Sequence, residues 1–422
     1  MTNNIMTDTT TTNKNGRLVA IITMCFIFAM ISFVTNMAAP FGNIWKGQYS
    51  WAAMMGNMMN FAAYLFMGIP AGKMLVKVGY KKTTLIALAT GFIGICIQYL
   101  SSFKFLGESA IYVYLLGAFV CGFCVCMLNT VVNPMLNILG GGGNRGNQLI
   151  QTGGTLNSLT GTLTPLLVGV LIGTVTDNTA MSDVVPLLFI AMGVFALAFI
   201  IISFVKIPEP AQERKTTAYE HSAWSFRHTV LGVIAIFFYV GIEIGIPAQL
   251  NFYISDLGFE GSAAVAGFLA ASYWFLMMIG RFLSSTLSGK ISTRTQMISV
   301  SSLAILLLLI AIFLPESISM TVKGSAVPMK CIFLALCGIC TSIMWGAIFN
   351  LAVEGLGKYT EQASGIFMMM VVGGGIMPLI QQAIAQRAGA IPSYWLVVAM
   401  LAYLLYYAIW GSKNVNKDIK VD

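Results

Sequence analysis

Glu243 stands apart among the acidic residues. It lies in the apolar run Phe237-Phe238-Tyr239-Val240-Gly241-Ile242-Glu243-Ile244-Gly245, and it is the carboxylate the sequence places most clearly inside such a run; Glu354 falls near the end of another. A carboxyl group in apolar surroundings can carry a proton, hold a cation or accept a hydroxyl's hydrogen bond. It can also stay protonated and bond a neighbouring helix. Amides accompany it. Asn129, Asn133 and Asn137 recur every fourth residue, so a helix shows all three on one face. Asn36, Asn57, Asn60, Gln148, Gln151, Asn157, Gln249, Asn251, Asn350, Gln381, Gln382 and Gln386 also fall within apolar runs. An amide both donates and accepts, which suits the hydroxyls of a neutral polyol. A phosphate or carboxylate cargo would draw arginine or lysine, and those sit at the ends of the runs, Arg281 being the least clear case. Tyr64, Tyr239, Tyr253, Tyr273, Trp274 and Trp345 offer faces for a sugar ring. The same amides can instead bond helix to helix. Asn36, Asn129, Asn133, Gln151, Asn157, Glu243, Gln249 and Asn350 are taken as candidate substrate residues, with Glu243 also the candidate for carrying a coupled ion.

Other patterns carry less. Cys121–Cys124 and Cys337–Cys340 have C-x-x-C spacing, but His221 and His228 lie in a polar stretch away from both, so the eight cysteines read as packing residues and no metal site is expected. Gly140 to Gly143 is followed by Asn144-Arg145, not Lys-Ser/Thr, and reads as a turn rather than a phosphate loop. Gly373-Gly374-Gly375 with Pro378 reads as a bendable point of close helix packing.

Membrane helices are what would position these groups. Of 422 residues, 57% are hydrophobic and 9% charged, against roughly 25% charged in a soluble domain. Apolar stretches recur at about the 20-residue length that crosses the hydrocarbon core. The spacing predicts twelve spans: residues 18–39, 52–75, 83–102, 111–139, 148–175, 184–206, 229–254, 263–288, 296–314, 327–353, 361–386 and 392–410. Strand-like alternation is absent, which sets a β-barrel aside. No short apolar core with a small-residue cleavage site precedes the first run, so that run is expected to be retained.

Charge placement tests the count. With both termini inside, only Lys46, Lys104, Lys323, Lys330 and Arg387 of the 23 basic residues fall outside. A missed span would scramble this bias. It also gives the net charge of +8 a topological role, so no nucleic-acid partner is expected. The polar stretch 207–228, with Pro208, Pro210 and several charges, divides the spans six and six. The domains follow: a disordered cytoplasmic tail 1–16, a six-helix bundle 17–206, a cytoplasmic linker 207–228, a second six-helix bundle 229–411 and a cytoplasmic tail 412–422.

Several short motifs resemble one family. They are Ile69-Pro70-Ala71-Gly72, Asn133-Pro134 before Leu139-Gly140, Asn157-Ser158, Phe238-Tyr239-Val240-Gly241, Gly280-Arg281-Phe282, Ile348-Phe349-Asn350-Leu351, Gly355-Leu356-Gly357-Lys358-Tyr359-Thr360 and Gly373-Gly374-Gly375-Ile376. The loop Gly72 to Lys82, with Gly79 and Lys81, resembles the inside loop of the major facilitator superfamily, and Gly280-Arg281 opens a weaker copy. In this order the motifs are similar to the fucose permease and glucose/galactose transporter family. The resemblance implies an all-α major-facilitator fold of two six-helix bundles. It implies uptake of a monosaccharide across a bacterial inner membrane by alternating access, by a monomer without cofactors. It makes Gly72, Gly79, Lys81 and Arg281 gating residues. It also implies proton symport through carboxylates at two positions that are here Asn36 and Asn129, and an acidic residue in the inside loop where this chain has Val76. Coupling, to H+ or Na+, would then pass to Glu243 or be absent.

Other readings need features the sequence lacks. A membrane sensor would want a sizeable soluble output module, and the tails and linker are short. An enzyme would want a cluster of catalytic groups at membrane depth. Another cargo in the same fold remains open: an amino sugar, a disaccharide, or sialic acid, which would call for a cation at membrane depth.

Overall fold

The computed structural model describes residues 14–49, 52, 55–172, 180–209, 220–260, 262–416 and 418–421. Residues 1–13 of the expected tail, 173–175 of expected span 5, 210–219 of the expected linker, and 417 and 422 of the second tail lie outside these.

The described chain is helical almost throughout. Span 1 is Lys14–Gln48; spans 2 and 3 form one run, Met55–Leu100, broken at Gly79. Gly79 takes φ 88°, a left-handed conformation that only glycine adopts without strain, and the chain reverses there. Spans 4 to 9 are Ala110–Leu139, Gly143–Ile172, Val185–Phe204, Arg227–Ser255, Ser262–Leu287 and Thr293–Phe313. Span 10 comes in two pieces, Lys330–Thr341 and Met344–Ala352. Span 11 also comes in two, Thr360–Met369 and Gly373–Ala388, and span 12 is Ala390–Tyr406. Ten stretches among the described residues are long and apolar enough to cross a membrane. They become twelve when Met55–Leu100 is divided at Gly79 and span 5 is counted. Span 5 is an inner helix, packed on spans 1, 4, 8 and 10. Span 6, apolar but for Ser203, is largely uncovered, with Phe199, Ile200 and Phe204 exposed.

One element departs from the expected pattern. Expected span 10 begins at 327, but its helix starts at Lys330, and Val327 belongs to a hairpin. Strand β1 (Ser319–Val322) pairs antiparallel with β2 (Ser325–Pro328), Met320 opposite Val327. Lys323 and Gly324 both take positive φ, 49° and 85°, the two-residue turn that matches strand twist. The β-branched Thr321, Val322 and Val327 flank that turn, so local turn chemistry won over apolar content.

Spans 1–6 and 7–12 form two halves. Both halves carry most of their lysines and arginines at one end, called here the basic end. Near it, span 2 meets span 11 backbone to backbone. A Cβ on Gly68 would lie 2.5 Å from the Met369 nitrogen, and one on Gly72 would lie 2.9 Å from the Gly365 Cα. Small residues four apart allow this approach where lipid supplies no hydrophobic drive. The hydrogen bonds that join the halves cluster at mid-depth and toward the basic end. Asn137 Nδ2 donates to Asn350 Oδ1 at 2.6 Å, Asn147 Nδ2 to Ser288 Oγ at 3.1 Å, and the Thr293 N–H to Asn144 Oδ1 at 3.1 Å. The glycine turn 141–143, with three positive φ angles, presents Asn144 for this contact.

Candidate substrate site

Glu243 sits halfway along span 7, and Arg281 lies one and a half turns from the basic end of span 8. Sequence order puts Arg281 among the inside-loop residues; the structure carries its guanidinium to the depth of Glu243. Side chains on a helix lean toward its N-terminus. Span 8 starts at the end opposite the basic one, so the long arginine stem leans inward. Arg281 Nη2 lies 3.0 Å from Glu243 Oε1, and both side chains are nearly buried, 11% and 13% exposed. Gly280 helps, since span 10 packs on it with no room for a Cβ beside Ser342.

The guanidinium then reaches the other half. Arg281 Nη1 donates to Ser158 Oγ at 2.7 Å, with the Gly154 carbonyl at 3.4 Å and Asn157 Oδ1 at 3.5 Å. Its Nε donates to the Ser342 carbonyl at 3.3 Å. Ser342 lies in the break of span 10, and helix breaks of this kind are tolerated in a membrane where they line a site or pack inside protein. One cation thus ties spans 7, 8 and 10 to span 5. The amide inventory is therefore not charge-free at this depth; it surrounds an ion pair.

Two further contacts extend the centre. Asn157 Nδ2 donates to the Phe28 carbonyl of span 1 at 2.9 Å. Asn36 lies on span 1 beside Gly161 of span 5, where a Cβ would come within 3.0 Å of its Nδ2, and that Nδ2 donates to Ser32 O at 2.8 Å. On the span 4 side, Asn129 Nδ2 donates to Tyr64 Oη at 2.8 Å and Asn133 Nδ2 to the Asn129 carbonyl at 2.8 Å. Trp345 Nε1 of span 10 donates to Asn133 Oδ1 at 3.0 Å, crossing between the halves. Trp345 packs edge-on against Tyr239, which is one turn from Glu243 on span 7. Asn36, Asn129, Asn133, Asn157 and Glu243 thus belong to one central zone, joined there by Arg281, Ser158 and Trp345.

The remaining candidates make other contacts. Gln151 Nε2 donates to the Ile343 carbonyl at 2.9 Å, in the break of span 10 beside the Ser342 carbonyl that Arg281 reaches, and Asn350, held by Asn137, donates to Thr293 Oγ1 at 3.2 Å. Both tie the halves, Asn350 nearer the basic end. Gln249 lies six residues beyond Glu243 on span 7, about 9 Å toward the opposite end, and pairs with Gln382 of span 11. Among the gating residues, Gly72 packs on span 11 and Gly79 makes the turn. Lys81 Nζ donates to the Ser203 carbonyl at 2.7 Å.

Glu209 is the residue that sequence reasoning missed. Its carboxylate accepts from the backbone N–H groups of Tyr80 at 2.6 Å and Lys81 at 2.8 Å. These are unfilled donors at the start of a helix, where an anion is favoured. Tyr80 Oη in turn donates toward Glu361 Oε1 of span 11 at 3.4 Å. Acids from the linker and from span 11 therefore serve the loop in which Val76 stands in place of one. Local motif reading could not find this, because Glu209 is 129 residues from Tyr80. Among the described residues no group of His, Cys, Asp and Glu could hold a metal ion, and all eight cysteines are free, seven buried and Cys96 half-buried.

The halves come apart only if these ties break. Asn350→Ala is expected to leave Asn137 unpaired in a buried position, at about 1–3 kcal/mol. Because the tie exists only while the basic end is closed, the balance should move roughly 5- to 150-fold toward opening there. Maleimide labelling of a cysteine placed at Gln148 should rise accordingly; unchanged labelling would remove Asn350 from the latch.

Comparison with known proteins places this architecture. The family model of the Major Facilitator Superfamily matches residues 18–378. The glucose/galactose transporter of Brucella abortus biovar 1 is 32% identical over 428 residues, covering 98% of each chain. The L-fucose-proton symporter of Escherichia coli is 23% identical over 390 residues, 84% of each chain. The crystal structure of the E. coli fucose:proton symporter superposes with a TM-score of 0.80 at 19% identity, covering 94% of this chain and 100% of that one, a likeness of fold. The chain is a multi-pass membrane protein that belongs to the Major Facilitator Superfamily, within the family of the fucose permeases and glucose/galactose transporters.

Proposed function

We propose that this protein moves a small neutral sugar, a hexose or deoxyhexose, across the membrane by alternating access. The observation that carries the reading is the Glu243–Arg281 pair, which reaches from the second half to Ser158 on the first, amid the first half's amides. Paired charges give the centre little net charge, which favours a neutral, hydroxyl-rich cargo over an anion. Amides and an indole N–H supply directed donors and acceptors for hydroxyls. The names of the relatives fit the same cargo class. The inter-half ties lie at the centre and toward the basic end. By the positive-inside rule that end is cytoplasmic, which puts both termini inside the inner membrane of a bacterium. The described state is then closed to the cytoplasm and ready to receive sugar from outside. Rocking the halves would break the span 2–span 11 contact and the Asn137–Asn350 tie. We take the working unit to be a monomer and the coupled ion to be a proton carried by Glu243.

The test is uptake of labelled fucose, glucose, galactose, mannose and N-acetylglucosamine by cells expressing the protein, with and without a protonophore. Accumulation of at least one sugar that collapses with the protonophore is expected. Equilibration insensitive to it would remove the proton from the mechanism. Failure with all five would overturn the neutral-sugar cargo.

Asn129 gives a sharper check. Asn129→Ala removes the donor to Tyr64 Oη and a polar group of the central zone. Losing one site donor while leaving Tyr64 Oη unpaired costs about 1–3 kcal/mol, and loss of the polar lining for a hydroxyl adds to it. Uptake should fall at least about a hundredfold at unchanged membrane abundance; full transport by this variant would exclude Asn129 from the site.

A further inference from the structure

A cavity with polar and aromatic side chains on its walls lies outside the central zone. It is a cavity of 360 Å³ between the ends of spans 7, 11 and 12 that face away from the basic end. Small-molecule pockets usually begin at about 300 Å³. Gln249, Gln382, Gln386 and Asp256 line it together with Phe252 and Tyr253. Gln249 is 2% exposed. Its Nε2 is held by Gln382 Oε1, while its own Oε1 is buried and has no hydrogen-bond partner. A buried carbonyl oxygen left without a donor is costly, and a small turn of the Gln249 amide toward the pocket would let a hydroxyl satisfy it. The aromatic wall is fixed: Tyr253 Oη donates to Glu316 Oε1 at 2.9 Å, and Glu316 lies 3.4 Å from Lys330 Nζ. Phe252 is 40% exposed and offers a face to a ring. Asp256, exposed at the rim, adds an acceptor.

From this arrangement we propose that the pocket is an outer sugar subsite, which binds a neutral monosaccharide about 9 Å before it reaches Glu243. The inference rests on the sugar-transport reading above. Both sites use amides and aromatic faces, but the outer one belongs to the second half alone. It therefore needs no closure of the halves to form, and it can hold sugar while the centre is empty.

The experiment uses the full-length protein in intact cells. Gln386→Cys places a thiol at the pocket rim, and the eight native cysteines are buried or half-buried, so a membrane-impermeant maleimide should report on that position. D-galactose and D-glucose are expected to slow its labelling. Protection should persist in Gln386→Cys combined with Arg281→Leu, at a concentration within about threefold of the parent, because the central pair takes no part. Adding Gln382→Leu instead should raise the protecting concentration about tenfold, the loss of one hydrogen bond of roughly 1.4 kcal/mol. Protection that vanishes with Arg281→Leu would show that closure over the central site shields the thiol, and would overturn the subsite. Absence of protection in the parent would overturn it too. A wild-type protein that takes up sugar normally while giving either result leaves the transport reading standing; absence of uptake and of protection together removes both.

Discussion

Glu243→Gln is expected to abolish uphill accumulation while sugar exchange continues. Glutamine has nearly the shape of a protonated glutamate, and its Oε1 can still accept from Arg281 Nη2, which lies 3.0 Å from that oxygen in the native pair. It cannot release or take up a proton. A carrier fixed in the proton-loaded form can still shuttle with sugar bound, so counterflow of labelled against unlabelled sugar should stay within about threefold of wild type. Net accumulation requires the empty carrier to return without its proton, and that step is closed. The size of the effect follows from the driving force. A membrane potential of 100 mV is worth about 2.3 kcal/mol per charge, which sustains roughly a 40-fold gradient at 1.4 kcal/mol per tenfold. Wild type should approach such a gradient and respond to a protonophore and to acidification outside, which raises uptake. The variant should never exceed a ratio of one and should lose both responses. A Glu243→Gln protein that still concentrates sugar in a protonophore-sensitive way would move coupling elsewhere. Sodium-dependent accumulation lost in the same variant would keep Glu243 as the coupling group and replace the ion.

The sequence made much of this architecture readable because the bilayer is a strict solvent. Backbone groups in hydrocarbon must be satisfied within helices, so apolar length alone located the spans, and charge asymmetry checked their count. The Asn129–Asn133 spacing and the isolation of Glu243 were legible because a polar group in an apolar run is a local anomaly. Arg281 was not, since its position near a span end concealed a side chain that leans 38 residues back in sequence to Glu243. Asn350 carried the same amide signal as the central residues, yet it ties the halves nearer the basic end. Residue type gives polarity, while depth and facing depend on register between helices that sequence spacing does not encode. The Glu209 cap and the Gly68–Gly365 contact are long-range features of the same kind.

Arg281→Leu should lower both abundance and transport, and its combination with Glu243→Leu separates the two. The single change leaves a carboxylate that is 13% exposed without its cation. Breaking a buried pair from one side costs about 3–5 kcal/mol, whereas replacing both charges with apolar groups is often neutral. Melting of the detergent-solubilised protein should therefore fall with Arg281→Leu and recover in the double variant. Transport should not recover. The double variant lacks the bond to Ser158 across the halves, the polar lining for hydroxyls and the proton-carrying group. Were the pair a structural brace alone, stability and uptake would return together, and that result would remove both residues from the transport mechanism. Arg281→Lys sharpens the distinction. A lysine keeps the charge beside Glu243 but lacks the planar fork that also meets Ser158 and the Ser342 carbonyl. Stability near wild type with uptake reduced at least about tenfold would mean that the reach between the halves, beyond charge neutralisation, is what the site needs from this position. Normal uptake with lysine would assign Arg281 to balancing Glu243 and leave recognition to the amides.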